Sequence, residues 1–268
     1  DSSITMEDSF VSANLGSGPL SLGSTFDISL TFDGTVSPAR QATFNAAAAL
    51  WEGLLPNYKT GVTGPASVVI SATLPAGDGP GGILGSAGPT TTINSGGFTL
   101  ANTGQMEFDS FDVADLETAG TFDEVILHEM GHVLGIGTLW NQGLNALYVN
   151  GSGQYTGADA LAAFQTEWVG QGAATFVPVE LEGGAGTANG HWNESDGGGA
   201  ATGLVRVGTG EDMQFELMTG WLDTAQPNFI SQMTLGSLSD MGFFAVPEPS
   251  TGLLGVFGVL LLGLRRRR

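Results

Sequence analysis

The sequence predicts an α+β fold, and three observations carry that prediction. An amphipathic helical stripe begins at Ser37-Pro38, short β-type runs lie on either side of it, and the 43 glycines follow no fixed repeat. Aperiodic glycine at that level favours short strands, turns and irregular loops over a fibre. The expected arrangement is a small mixed sheet and a chemically loaded helix in an N-terminal lobe reaching to about residue 137. A loop-rich C-terminal lobe over 138–243 and a distinct tail over 244–268 complete it.

Residues 1 to 36 read as short strands with Ser and Gly turns, for example Ser24 to Phe32. Ser37 then suits an N-cap, with Pro38 at the first helical position, where its missing N–H is no loss. The helix is expected to run to about Leu55, because Phe44, Ala47, Ala48, Trp51 and Leu55 fall on one face and Pro56 ends the pattern. That stripe is core. Val68-Val69-Ile70 and Gln105 to Phe108 have strand character, separated by the glycine-rich Gly77 to Gly88 and the Thr-rich Thr90 to Ile93. Thr121-Phe122-Asp123-Glu124 has the form of a capping box, which predicts a second helix from Phe122. Ala158 to Trp168 and Ser231 to Met241 are further helical stretches, and Gly183 to Gly210 reads largely as loop.

Composition removes whole classes of function. Asp and Glu number 27 against 7 Lys and Arg, a formal charge of −20, and four of the basic residues are the terminal run Arg265 to Arg268. Only Arg40, Lys59 and Arg206 serve the rest of the chain. Such a surface repels phosphate backbones, so nucleic acid is excluded as a partner. There is no cysteine, hence no disulfide and no thiolate ligand or nucleophile. The chain begins at Asp1 without Met or an apolar leader, as expected of a processed or fragmentary sequence.

After Phe243-Phe244 comes Pro247-Glu248-Pro249, then an apolar and glycine stretch from Thr251 to Leu264, then four arginines. The stretch falls short of the roughly 20 residues needed to cross a bilayer core, so it suits transient membrane anchoring, with the arginines on the cytoplasmic side. This tail resembles the PEP-CTERM sorting signal of Gram-negative bacteria. The resemblance implies an exported protein, of the cell envelope or released outside the cell, whose tail is cut by a membrane sorting peptidase.

The second helix holds His128-Glu129-Met130-Gly131-His132. A spacing of four stacks both imidazoles on one face, where each can give a ring nitrogen to the same metal. Glu129, beside the first of them, can reach a water on that metal and act as general base. The chain has three histidines, two of them here. The third, His191, lies in a polar glycine-rich loop and is read as the third ligand. Gly135 is placed to end the helix in a left-handed conformation.

His128-Glu129-x-x-His132-x-x-Gly135 resembles the first part of the metzincin zinc signature, and Gly135-Ile136-Gly137-Thr138-Leu139-Trp140 is similar to the leishmanolysin-like peptidases. Thr138 stands where most metzincins carry the third histidine; leishmanolysin-like enzymes insert a long segment first, which matches His191. Met218, in Glu216-Leu217-Met218-Thr219-Gly220-Trp221, resembles the methionine turn of that clan. The resemblance implies a metzincin-like zincin, one catalytic Zn²⁺ on His128, His132 and His191, Glu129 as base, and protein or peptide substrates hydrolysed in a cleft. Substrate would lie along an exposed sheet edge, for which residues 83–93 are the candidate.

Three departures accompany it. The interval from His191 to Met218 is long, so Ser195 to Phe215 reads as an insertion near the cleft. The lack of cysteine excludes a cysteine-based latency switch within this chain. Trp221 replaces the aromatic, often Tyr, whose hydroxyl could stabilise an oxyanion. Two rivals stand beside this reading: Glu194 as a carboxylate third ligand, and a non-catalytic envelope or matrix protein keeping the fold. Asp78 and Asp196 are acidic positions where calcium could bind, without a complete loop pattern around either.

Overall fold

Ser37 and Pro38 start the first helix as their chemistry requires. In the computed structural model, which describes residues 22–194 and 200–246, Ser37 is extended and its side chain accepts from the Arg40 N–H. Helix α1 (Pro38–Leu54) follows strand β1 (Ile28–Phe32) and buries Phe44, Ala47, Ala48, Trp51 and Leu54. Strand β2 (Asn57–Tyr58) comes next, then β3 (Val68–Thr73), β4 (Gly85–Ser95) and β5 (Phe98–Phe108). Helices α2 (Val113–Ala119) and α3 (Phe122–Leu134) complete the N-terminal half.

The C-terminal half has β6 (Gln154–Tyr155), α4 (Ala158–Glu167), β7 (Val177–Pro178), α5 (Gln232–Asp240) and β8 (Phe243–Phe244), with long irregular connections. The fold is mixed α and β with small sheets. A four-stranded sheet runs β1-β3-β5-β4; β1, β3 and β5 are parallel, and β4 joins antiparallel at the edge. The parallel pair β1 and β3 needs a crossover, which α1 supplies. β2 pairs with β8, tying the end of the described chain back to the N-terminal half.

One apolar core underlies these elements. Phe44 stands edge-on to Phe108 and Phe122, at centroid distances of 5.3 and 5.9 Å, locking α1 to the sheet and to α3. The Trp51 indole donates to the Leu127 carbonyl at 3.1 Å. Full burial of each such ring contributes about 1.5–3 kcal/mol, so α3 is held against the sheet by packing more than by helix propensity.

Two expectations need correction. Thr121 caps nothing: its hydroxyl is buried without a partner, and its backbone (φ −118°, ψ 2°) lacks the extended conformation that points a cap side chain at the first turn. Glu124 does not reach back either; it accepts from the Asn228 N–H at 3.3 Å. The helix starts at Phe122 nonetheless, because Phe122 is buried against Phe108. Nor does the described part of the 195–215 segment approach the chemistry. It returns against α4, with Arg206 paired to Glu167 at 3.0 Å and the Val207 amide on the Glu167 carbonyl. The strands read before residue 22, Asp196 and the Pro-Glu-Pro tail lie outside the described residues.

Candidate metal centre

Helix α3 brings His128 and His132 to one face, and two glycines after it bring His191 back. Gly135 (φ +125°) stops the helix; its N–H donates to the Gly131 and His132 carbonyls. Thr138 donates to the His132 carbonyl at 2.6 Å and so secures the helix end. Gly137 (φ +71°) lets the chain pass directly against Gly190, since a Cβ there would strike the Gly190 carbonyl. The His191 imidazole therefore faces the other two.

The three Nε2 atoms form a near-equilateral triangle, with sides of 3.0, 3.0 and 3.1 Å. Each opposite nitrogen faces a backbone carbonyl: His128 Nδ1 to Leu217 O at 2.7 Å, His132 Nδ1 to Ile136 O at 2.9 Å, His191 Nδ1 to Thr187 O at 2.8 Å. A carbonyl only accepts, so each Nδ1 carries the proton and each Nε2 is a bare lone pair. Three lone pairs converging at 3 Å repel one another unless a cation lies among them. Tetrahedral coordination at about 2.05 Å separates ligand nitrogens by about 3.3 Å, so the triangle fits a metal with little adjustment. Among the described residues, this is the one group of His, Cys, Asp or Glu side chains converging so closely.

Burial keeps the three imidazoles neutral. It lowers all three imidazoles, His128 to about 3, with the neighbouring rings adding to the effect at His128 and His191. Glu129 is 6% exposed and its Oε2 has no partner among the described residues. Burial pushes its carboxyl up to about 8; a dication held by the histidines would act in the opposite direction and favour the carboxylate. A Cβ at Gly85 would lie 3.0 Å from Glu129 Oε1, so the first residue of the edge strand lies against this carboxylate.

Met218 is fully buried against α3 at Gly131, which lies between the two helical histidines in sequence; a Cβ on Gly131 would be 2.8 Å from its sulfur. Its turn is anchored by Glu216, whose buried carboxylate accepts from Met218 N at 2.6 Å, Ser231 N at 3.1 Å, Ser231 Oγ at 2.7 Å and Thr234 Oγ1. The same turn gives carbonyls to His128 and, through Met218 O, to the Trp192 amide beside His191.

His128, Glu129, His132 and His191 all line one cleft of about 620 Å³, together with Gly85 to Ala87 of β4 and with Trp221. None of the described residues 200–215 lines it. Glu194 does not join the histidines; it is buried apart, its carboxyl pushed up to about 8 by burial first and Asp223 next. Asp78 is occupied in the turn before β4, accepting from the Ile83 N–H at 3.4 Å. The sequence did not reveal the carbonyls behind each imidazole, nor Gly85, nor Glu216 as an anchor; only the spacing of glycines around His191 hinted at close backbone approach.

The PEP-CTERM protein-sorting motif matches residues 245–268. It marks export to the cell envelope in Gram-negative bacteria and implies an encounter with a sorting peptidase at the C-terminal tail. Among the described residues no helix is long and apolar enough to cross a membrane. No curated protein matches the chain.

Proposed function

We propose that this exported chain is a zinc-dependent endopeptidase of the leishmanolysin-like metzincin type, with a catalytic unit over 1–243 divided near residue 137 by the cleft. The single observation carrying this reading is the triangle of three proton-free Nε2 atoms beside a buried, unpartnered Glu129 at the edge of an open strand. His128, His132 and His191 would hold Zn²⁺, which supplies a Lewis acid and a water of lowered pKa.

The chain's own groups do the rest. Glu129 takes a proton from the attacking water at its free carboxylate oxygen and passes it to the nitrogen of the departing amine. The open side of β4 at Gly85 to Ala87 offers backbone donors and acceptors to an extended peptide, holding the scissile bond against Glu129. Trp221 lines the cleft but has only an N–H to give, so it contributes wall rather than a hydroxyl.

The test is metal content with a digest of a broad peptide library. One zinc per chain, lost in His191→Ala much as in His128→Ala, is expected. Glu129→Ala should keep zinc while peptide cleavage falls by about 10²–10⁴-fold. A zinc-loaded wild type that cleaves nothing would replace the peptidase with a non-catalytic envelope or matrix protein.

A further inference from the structure

One turn before His128, on the same face of α3, the cleft contains two acceptors that nothing in the chain satisfies. Glu124 and Asn228 both line it. Glu124 Oε1 accepts from the Asn228 amide, yet Glu124 Oε2 and Asn228 Oδ1 are buried and have no partner among the described residues. The same cleft is also lined by the apolar Val125, Leu217 and Leu222 and by Trp221. Leu217 also carries the carbonyl that holds His128, so this recess adjoins the metal centre directly.

A carboxylate removed from water requires a compensating donor, best a cation. The described chain has none to spare. Arg40 is paired with Glu117, Lys59 with Asp159, and Arg206 with Glu167 and Glu211. A donor from outside the chain would satisfy both acceptors. A long apolar stem with a charged end suits such a recess, because the stem can lie along Val125, Leu217 and Trp221 while its head reaches both acceptors. The formal charge of −20 would draw cationic peptides toward the cleft in addition.

We propose that Glu124 and Asn228 form a specificity pocket that takes an arginine or lysine side chain of the substrate, at the position flanking the scissile bond on the His128 side. The proposal rests on the peptidase reading for its substrate, but the recess can be tested without catalysis. Zinc-loaded wild type and Glu124→Gln would be given peptides that differ only in Arg, Lys, citrulline or Leu at that position. The wild type should prefer Arg or Lys over citrulline at least tenfold in kcat/KM, and Glu124→Gln should abolish that preference. Asn228→Asp, which adds a second carboxylate, should sharpen it.

Binding gives the independent arm. Calorimetry with zinc-loaded Glu129→Ala and the same peptides should show the arginine peptide bound at least tenfold more tightly than its citrulline twin, a difference lost when Glu124→Gln is added. If the wild type cleaves nothing but this difference is found, the peptidase reading fails and the pocket stands. Equal binding of the arginine and citrulline peptides, or a preference indifferent to Glu124→Gln, overturns the pocket.

Discussion

Gly137 and Gly190 meet backbone to backbone, and their contact sets where His191 stands. A methyl at Gly137 would lie 2.7 Å from Gly190 Cα, and residue 137 has a φ of +71°, in the left-handed region that residues with side chains resist. Gly137→Ala should therefore push the 190–191 segment away from α3. Backbone strain alone should cost about 1–3 kcal/mol, and zinc affinity, measured by chelator competition, should drop at least tenfold. Unchanged affinity would mean that His191 is placed by other contacts.

Glu216 ties the turn at Met218 to α5 by accepting from four donors, and Thr234 in turn accepts from the Trp192 indole at 2.8 Å. Removing the acceptor shared by several buried donors leaves them unsatisfied, at about 1–3 kcal/mol for each. Glu216→Ala should lower the unfolding midpoint severely, and Glu216→Gln less so, since it keeps an acceptor oxygen. Thermal melts of the two variants check this; equal, small losses would show the network to be dispensable.

The burial of Glu194 makes a pH prediction. Its carboxyl titrates near 4.5 when unfolded and is pushed up to about 8 in the fold by burial and by Asp223. Between those values the folded chain keeps a proton that the unfolded chain has released, so this group withdraws stability as pH rises from 4.5 through 8. Glu194→Gln cannot titrate. Its denaturant midpoint should gain on wild type steadily from pH 5 to pH 8; a constant gap would contradict the shift.

The sorting motif at 245–268 predicts a processed product. Protein recovered from its native host is expected to lack Arg265 to Arg268, and intact-mass spectrometry decides the matter. A secreted form ending at Arg268 would show that the tail is not cut.

Much of the centre could be read in advance because it is local. His128 and His132 share a helix, and the scarcity of histidine singled out His191. Helices near Pro38, Ala158 and Ser231 followed from stripes and breakers, the one from Phe122 was expected from a capping box that does not form, and residues 85–93 of the 83–93 candidate lie in the edge strand β4. What was hidden depends on tertiary approach. Helix α2 buries only Val113 and Leu116, too few to leave a periodic trace. The two-residue pairs β2 with β8 and β6 with β7 carry no pattern of their own. The capping box at Thr121 misled because the signature records side-chain types, whereas the cap needs an extended backbone that packing of Phe122 did not leave.

Strand β4 also bears on how copies of this chain keep apart. An open, flat edge will accept any extended chain, including the same strand from another molecule, and that is the usual start of aggregation. Pro89 removes an N–H from the middle of β4, and the register breaks between Pro89 and Thr91 and again before Thr92. The edge is thus divided. The unbroken run beside Glu129, Gly85 to Gly88, is shorter than the six or seven residues of a typical fibril-forming segment. It can hold a short stretch of a passing peptide, while a second copy of β4 finds no continuous ladder to extend.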